Sequence, residues 1–178
     1  MEERTVWAWH FTDGWALCDG TPLEVGRTYE HDGTLVLCDA GYHASRRLID
    51  ALGYAPGSVL SRVAVGGEII EGDDKLVART RTVLWALDVA PVLHGFACRC
   101  AEDALSVAGT PDPRSVAAIA AKRAWLRGEI NDEGLAAAGA AAGAAWAAAG
   151  AAAGDAAVVR QNRRLTAMVA AYRRTFHA

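Results

Sequence analysis

The sequence lacks most of the features that identify a protein class directly. Its start, Met1-Glu2-Glu3-Arg4, has no basic stretch followed by an apolar one, so we expect no export signal and a cytoplasmic protein. The formal net charge of the 178 residues is only −3, which argues against a dedicated nucleic-acid binder. No nucleophile occupies the sharp turn typical of serine or cysteine hydrolases, because Cys38 precedes the only candidate turn.

Cysteine is also scarce. The four cysteines are Cys18, Cys38, Cys98 and Cys100, and without an export signal we expect reduced thiols. One residue separates Cys98 from Cys100, whereas the paired ligands of a zinc knuckle are separated by two. We therefore predict no metal site and no cofactor.

Residues 135–154 carry no charge and few large apolar side chains, because they are almost wholly alanine and glycine. The length matches a membrane span, but Ala and Gly contribute little to insertion, so we predict no membrane association. Alanine favours a helix, which packs closely through its stripe of small residues, either within the chain or in a homo-oligomer. This stripe consists of Gly139, Gly143, Gly150 and Gly154. The alternative is that the segment is a flexible tether.

The residues that are present predict an α+β fold with two domains. Residues 1–84 contain β-branched and aromatic runs separated by glycine turns, which predict a small, mostly antiparallel β-sheet with one short helix. Residues 85–178 have helical periodicity and predict a three- to four-helix Ala/Gly-rich bundle. We expect the helical part to begin somewhere near Trp85, with Asp88 available as a cap.

Three helices of that bundle have predictable bounds. The first should end at about Val107, before a Gly-Thr-Pro-Asp-Pro break. The second should span residues 114–127, with Trp125 as an anchor. The last should span residues 158–176, with an apolar side and a basic side.

The sharpest local motif is a predicted strand-to-helix junction. Residues 33–37 predict a strand, Ser45 fits the N-cap of a short helix, and Gly41 permits a backbone conformation that a side chain would forbid. Tyr42 and His43 would then lie on a turn, where side chains often contact a ligand. The alternative is that Tyr42 fills the core and His43 is a surface residue.

The first predicted strand, residues 4–11, carries a second candidate. Alternation places Trp7, Trp9 and Phe11 on one face, which we expect to face the core. His10 then points to the opposite face, into a cleft or into solvent. The predicted ligand- or partner-binding residues are His10, Tyr42, His43 and Arg46.

Two resemblances cover nearly the whole chain. Residues 94–105, 124–129 and 132–138 resemble the Ala-rich carboxyl halves of the predicted immunity proteins of phages, prophages and actinobacterial genomes. Residues 38–45, 62–68 and 75–78 resemble a small phage and bacterial domain of unknown function. Together they imply an accessory protein of a mobile element and no particular chemistry.

A third resemblance is to ADP-ribosyltransferases. Residues 9–12 are similar to the strand that bears that family's His, and residues 41–45 to its Gly-aromatic-aromatic strand. The resemblance implies that His10 orients the ribose of NAD, that Tyr42 stacks on nicotinamide, and that Glu68 or Glu71 stabilises the reacting ribose.

Three hypotheses follow for the function. The first is a non-enzymatic, phage-encoded or mobile-element protein in the host cytoplasm, which neutralises a toxin or a host defence factor by covering its surface. The second is an ADP-ribosyltransferase-like enzyme, or a degenerate nucleotide-binding relative with NAD as ligand. The third is a structural phage component, or a nucleic-acid-linked factor that uses the terminal arginines.

Overall fold

The structure is a computed structural model that describes residues 5–107, 112–138 and 155–176. A five-stranded antiparallel sheet is followed mainly by helices, which confirms the predicted α+β class. The chain divides into two compact units. The first comprises the chain up to Ala90 together with its end from Arg173, and the second is Pro91–Tyr172. The predicted glycine stripe lies outside the described residues.

The sheet is organised around its longest hairpin. The strands are β1 (Val6–Thr12), β2 (Thr28–Glu30), β3 (Tyr42–Ala44), β4 (Val59–Glu71) and β5 (Leu76–Asp88). β4 pairs with β1 on one side and with β5 on the other. The far edge of β5 pairs first with β3 and then with β2, so two short strands share one edge.

The sequence of the β4–β5 hairpin explains its shape. The predicted bend at Gly66 and Gly67 is confirmed, because the pairing register shifts between Gly66 and Ile69. Gly67 has a φ of +69°, which favours glycine. β5 continues through Trp85, so the helical part begins later than expected. Pairing of Trp85 with Arg62 of β4 extends the ladder there.

The two faces of β1 are not divided as alternation suggested. Val6 and Ala8 are buried in the main hydrophobic cluster, whereas Trp7 is 64% exposed, so the prediction that the aromatic face is the core face was wrong. Phe11 alone of that face is fully buried. The Arg62 guanidinium lies 5.9 Å from the ring of Trp7 and 4.3 Å from that of Trp9, and it covers part of the exposed aromatic surface.

The helices have identifiable starting signals. Asp88 accepts a hydrogen bond from the Ala90 amide at 2.9 Å, and Asp112 caps the helix that begins at Pro113 by accepting from the Arg114 amide at 2.8 Å. In the described part of the chain, no helix is both long and apolar enough to cross a membrane. The helices are α1 (Leu48–Gly53), α2 (Ala90–Val107), α3 (Pro113–Leu126), α4 (residues 132–138) and α5 (Asp155–Arg174).

The second unit is held by a small apolar core and by charge pairs. Phe96 of α2 and Leu165 and Val169 of α5 are buried. The Arg123 guanidinium donates two hydrogen bonds of 2.7 Å to Glu102 and so links α3 to α2. Trp125 contributes as predicted, because its ring packs edge-on against His94 with centroids 5.4 Å apart.

Candidate functional site

The motif around Tyr42 forms a strand, not a turn. Tyr42 pairs with Ala78 and His43 with Val77, so both lie in β3. The strand predicted at residues 33–37 is absent from the described structure, where a bridge between Val36 and Ala40 closes a tight loop. Gly41 follows that loop with a φ of +110°, a conformation that favours glycine, as predicted.

Ser45 joins this motif to β1. Its backbone amide and carbonyl both bond to Trp9, at 2.9 and 2.8 Å, and its side chain is buried. The prediction that Ser45 caps the short helix was wrong, because α1 begins at Leu48 and Arg47 is the N-cap residue, without a side-chain cap. The Trp9–Ser45 bridge brings the strand of His10 beside that of Tyr42.

A cleft of about 540 Å³ opens where these segments meet. His10, Tyr42 and His43 all line it, so three of the four predicted site residues come together. Arg46 is not among the lining residues of the described chain. Its guanidinium instead donates to the Glu71 carboxylate at 2.8 Å on the surface.

Arg81 of β5 is the residue that sequence reasoning missed. It lines the same cleft, yet its side chain is only 3% exposed. Its Nη1 donates a long hydrogen bond of 3.4 Å to the His43 carbonyl, and the guanidinium carbon lies 4.8 Å from the centroid of the Tyr42 ring. Its Nε is buried without a hydrogen-bond partner in the described structure. Burial lowers the pKa of Arg81 to about 10, so the group is a cation at neutral pH.

His10 lies close to that cation and is uncharged. Burial, followed by the charge of Arg81, lowers its pKa to about 3, against a smaller opposing effect of a hydrogen bond to the His43 backbone. A neutral imidazole that donates through one nitrogen accepts through the other. His10 therefore offers the cleft a hydrogen-bond acceptor at neutral pH.

His43 stabilises the loop beside the cleft. Its Nε2 accepts a hydrogen bond of 2.8 Å from the amide of Cys38, a non-glycine residue with a φ of +74°. Burial lowers the pKa of His43, which keeps this nitrogen free to accept. The His43 imidazole is therefore bonded to its own loop. The predicted contact with a ligand is better supported for His10 than for His43.

Tyr42 is also engaged from within the protein. Arg81 lies over its ring, and the Tyr29 ring is 6.1 Å away and tilted by 51°. Burial raises the pKa of the Tyr42 hydroxyl, so it stays protonated. The ring is half-buried, which leaves little of it free to stack on a ligand.

The two glutamates implied by the resemblance to ADP-ribosyltransferases lie elsewhere. Glu68 accepts from Arg79 at 2.7 Å and Glu71 from Arg46 at 2.8 Å, and both pairs are exposed. Neither glutamate belongs to the cleft lining that the structure describes. Within the same part of the chain, no group of three His, Cys, Asp or Glu residues is arranged to hold a metal ion.

Tyr54 and Lys75 also line the cleft and are more exposed than Arg81, and we call this more exposed part of the lining the mouth of the cleft. The Lys75 ammonium lies 4.1 Å from the centroid of the Tyr54 ring, and the Tyr54 hydroxyl donates to Asp74 at 2.6 Å.

The sequence carried one signal for Arg81. In a strand, residues two apart share a face, so the sequence places the charge of Arg81 on the same face as the apolar Val83.

Comparison with known proteins assigns a family. A domain of unknown function, DUF7666, matches residues 7–95, which is half of the chain and includes every residue that lines the cleft. No curated protein and no solved structure matches the chain. The fold of the first unit, its cleft and the buried Arg81 thus lie within one recognised domain, and the chain belongs to the DUF7666 family.

Proposed function

We propose that the amino-terminal unit binds a small anionic ligand of the nucleotide class, with a phosphate group against Arg81. The observation that carries this proposal is a buried guanidinium, 3% exposed, that lines an open cleft and has no carboxylate within 4.0 Å in the described structure. Charges buried in proteins are normally paired. An anionic ligand would supply the missing partner.

The other arginines of the unit support this interpretation by contrast. Arg27, Arg46, Arg47 and Arg79 each form an ion pair of 2.6 to 2.8 Å with a glutamate or aspartate, and all four are more exposed than Arg81. Arg62, Arg173 and Arg174 also form no such pair in the described structure, but none of them is buried. Arg81 is therefore the one fully buried arginine among the described residues of the unit, and it has no carboxylate partner. Planar guanidinium groups bind phosphate through two parallel hydrogen bonds, which makes Arg81 suited to this ligand class.

The mouth of the cleft restricts the ligand further. Asp13, Asp19 and Asp39 line it and are exposed, so a simple polyanion would be repelled there. The pKa of Asp19 is lowered mainly by a hydrogen bond from the Thr21 amide, so it remains a carboxylate. Carboxylates accept hydrogen bonds from hydroxyl groups, so a ligand with one anionic end and a hydroxyl-bearing body fits both regions.

Binding is favoured over catalysis. Of the residues that the resemblance to ADP-ribosyltransferases implies, His10 and Tyr42 lie in the cleft, whereas Glu68 and Glu71 lie outside its described lining. Because neither glutamate belongs to that lining, the resemblance supports a degenerate nucleotide-binding relative. NAD and its fragments are then the first ligands to test.

The decisive test is a titration of wild type and Arg81→Met with NAD, ADP-ribose, ADP and adenosine. At a hundredfold excess over the dissociation constant, a one-site ligand should stabilise the protein by about 2.7 kcal/mol. We expect phosphorylated ligands to stabilise the wild type, adenosine to do so far less, and Arg81→Met to lose the effect. Arg46→Met is the matched control, because Arg46 lies on the surface outside the cleft.

The stability of the unliganded variant separates a binding role from a structural one. Methionine keeps most of the volume of arginine and removes a desolvated charge, so unliganded Arg81→Met should be at least as stable as wild type. A loss of more than about 2 kcal/mol without ligand would indicate a structural arginine. That result, or equal nucleotide binding by both proteins, would contradict the proposal.

A second candidate function belongs to the carboxyl-terminal unit. We propose that this unit, in a protein encoded by a phage or mobile element, neutralises a toxin or a host defence factor by covering its surface. The observation that favours it is a groove of about 550 Å³ between α2 and α3, lined by Leu105, Val116 and Ile119. Val116 is 47% exposed at this groove. Exposed apolar grooves with a charged rim are typical of protein-binding surfaces.

This candidate is tested by co-purification from host cells. A partner should be retained by the wild type and lost in Val116→Glu. The control is Val159→Glu on α5, where Val159 is 46% exposed and is not part of the groove lining. Equal recovery with both variants would refute the role of the groove.

A further inference from the structure

We infer that Tyr54 is the stacking platform for a planar ring of the ligand, so that the cleft recognises a base at its mouth and a phosphate at Arg81. This inference rests on the proposed binding function and names its ligand class more closely. It assigns a specificity-determining role to a residue at the end of α1.

Tyr54 combines exposure with a fixed position. It lines the cleft and is 51% exposed, so a ligand in the cleft can reach its ring. Its hydroxyl donates a hydrogen bond of 2.6 Å to the Asp74 carboxylate, and the Lys75 ammonium lies over the ring at 4.1 Å. These two contacts hold the ring in place, so little conformational entropy would be lost when a ligand stacks on it.

The other aromatic residue of the motif is less suited to the role. The Tyr42 ring is half-buried, and it already contacts Arg81 and Tyr29. Tyr42 is thus contacted by a cation and by a second ring, whereas among the described residues the Tyr54 ring is contacted by the Lys75 cation and by no second ring. Tyr54 therefore takes the stacking role that the resemblance to ADP-ribosyltransferases would give to Tyr42.

Lys75 adds a second cation to a lining that also contains the exposed carboxylates of Asp13, Asp19 and Asp39. Lys75 lines the cleft, and its ammonium forms no ion pair of 4.0 Å or less within the described residues. The cleft thus has a cation at its floor, Arg81, and a second at its mouth, beside the exposed ring of Tyr54. A volume of about 540 Å³ is in the range of small-molecule sites. A base joined through a ribose to one or two phosphates matches this distribution.

The experiment compares ADP with inorganic pyrophosphate, which has a similar charge but lacks a base. Calorimetric titrations with ADP use the full chain as wild type, Tyr54→Leu and Tyr54→Phe. The affinity of each protein for pyrophosphate is measured by competition with ADP. Loss of a stacked base typically weakens binding about 5- to 150-fold. We expect that loss for ADP in Tyr54→Leu, an unchanged affinity for pyrophosphate, and near wild-type ADP binding by Tyr54→Phe.

The outcomes separate this inference from the proposed function. If ADP binds the wild type and Tyr54→Leu equally well, or if Tyr54→Leu weakens pyrophosphate as much as ADP, the stacking role of Tyr54 is refuted while binding at Arg81 stands. If neither ADP nor pyrophosphate binds the wild type, both proposals fail. Melting curves of the unliganded variants verify that each is folded.

Discussion

The uncharged state of His10 makes the stability of the amino-terminal unit depend on pH. The native protein holds the pKa of His10 at about 3, chiefly through burial, whereas an unfolded chain gives histidine a pKa of about 6.5. The native pKa is the lower of the two, so the unfolded state binds more protons at pH values between them. The stability from this group is therefore fully present above about pH 6.5 and is lost as the pH falls towards 3.

The size of the effect follows from these two values. Where the unfolded state binds one more proton than the native state, the unfolding free energy falls by about 1.4 kcal/mol for each pH unit of acidification. Between pH 8 and pH 4.5 the protein should therefore lose about 2.7 kcal/mol of unfolding free energy through His10 alone. This loss is a large fraction of the roughly 5–15 kcal/mol that stabilises a typical domain.

The assay compares wild type with His10→Gln, which keeps a side chain able to donate to the His43 carbonyl but cannot be protonated in this range. Urea unfolding at pH 8, 7, 6, 5 and 4.5 gives the unfolding free energy of each protein. His43 and His94, whose pKa values are also lowered by burial, are present in both proteins, so their contributions cancel in the difference. We expect the wild type to lose about 2.7 kcal/mol more than His10→Gln over this range.

Two results would refute the reasoning. Parallel losses of stability in both proteins would mean that His10 does not titrate between the folded and unfolded states as argued. A direct titration of the His10 ring protons by NMR that gave a midpoint near 6.5 would mean that the side chain is solvated or paired with an acid, and the description of the cleft would then be wrong.

Three further predictions concern local structure. Gly41→Ala should cost about 3 kcal/mol in urea unfolding, because φ is +110° and the new Cβ would lie 2.6 Å from a methyl group of Val77; a cost below about 1 kcal/mol would contradict the close approach. His43→Phe should destabilise by about 1 kcal/mol and speed amide exchange at Cys38, because the acceptor is lost; unchanged exchange would refute this contact. Asp112→Ala should cost about 1 kcal/mol by removing the α3 cap, and Asp112→Asn should restore most of it.

Several elements could be predicted from sequence because their signals are local. The Gly66-Gly67 bend, the α2 end at Val107 and the Asp88 cap of α2 depend on residues within a few positions of one another. Errors arose where a distant strand decided the outcome. Trp85 lies in a strand because Arg62 pairs with it, and Ser45 bonds to Trp9 instead of capping a helix.

The candidate site divides in the same way. Sequence reasoning selected His10 and Tyr42, and the fold brings them to one cleft. It also selected Arg46, which pairs with Glu71 on the surface, and it overlooked Arg81. An arginine in a strand has no sequence signal for a missing partner, because whether a carboxylate lies within reach depends on which strands are neighbours.

The sequence by itself determined the α+β class, the glycine positions of the turns and the Asp88 cap of α2, since these depend on periodicity and backbone preference over a few residues. Only the tertiary structure decided which face of β1 is buried, that Tyr42 lies in a strand, and that a buried cation and an exposed ring line the same cleft. Burial and charge pairing result from contacts between segments that are far apart in the chain, and those contacts exist only after the strands have paired.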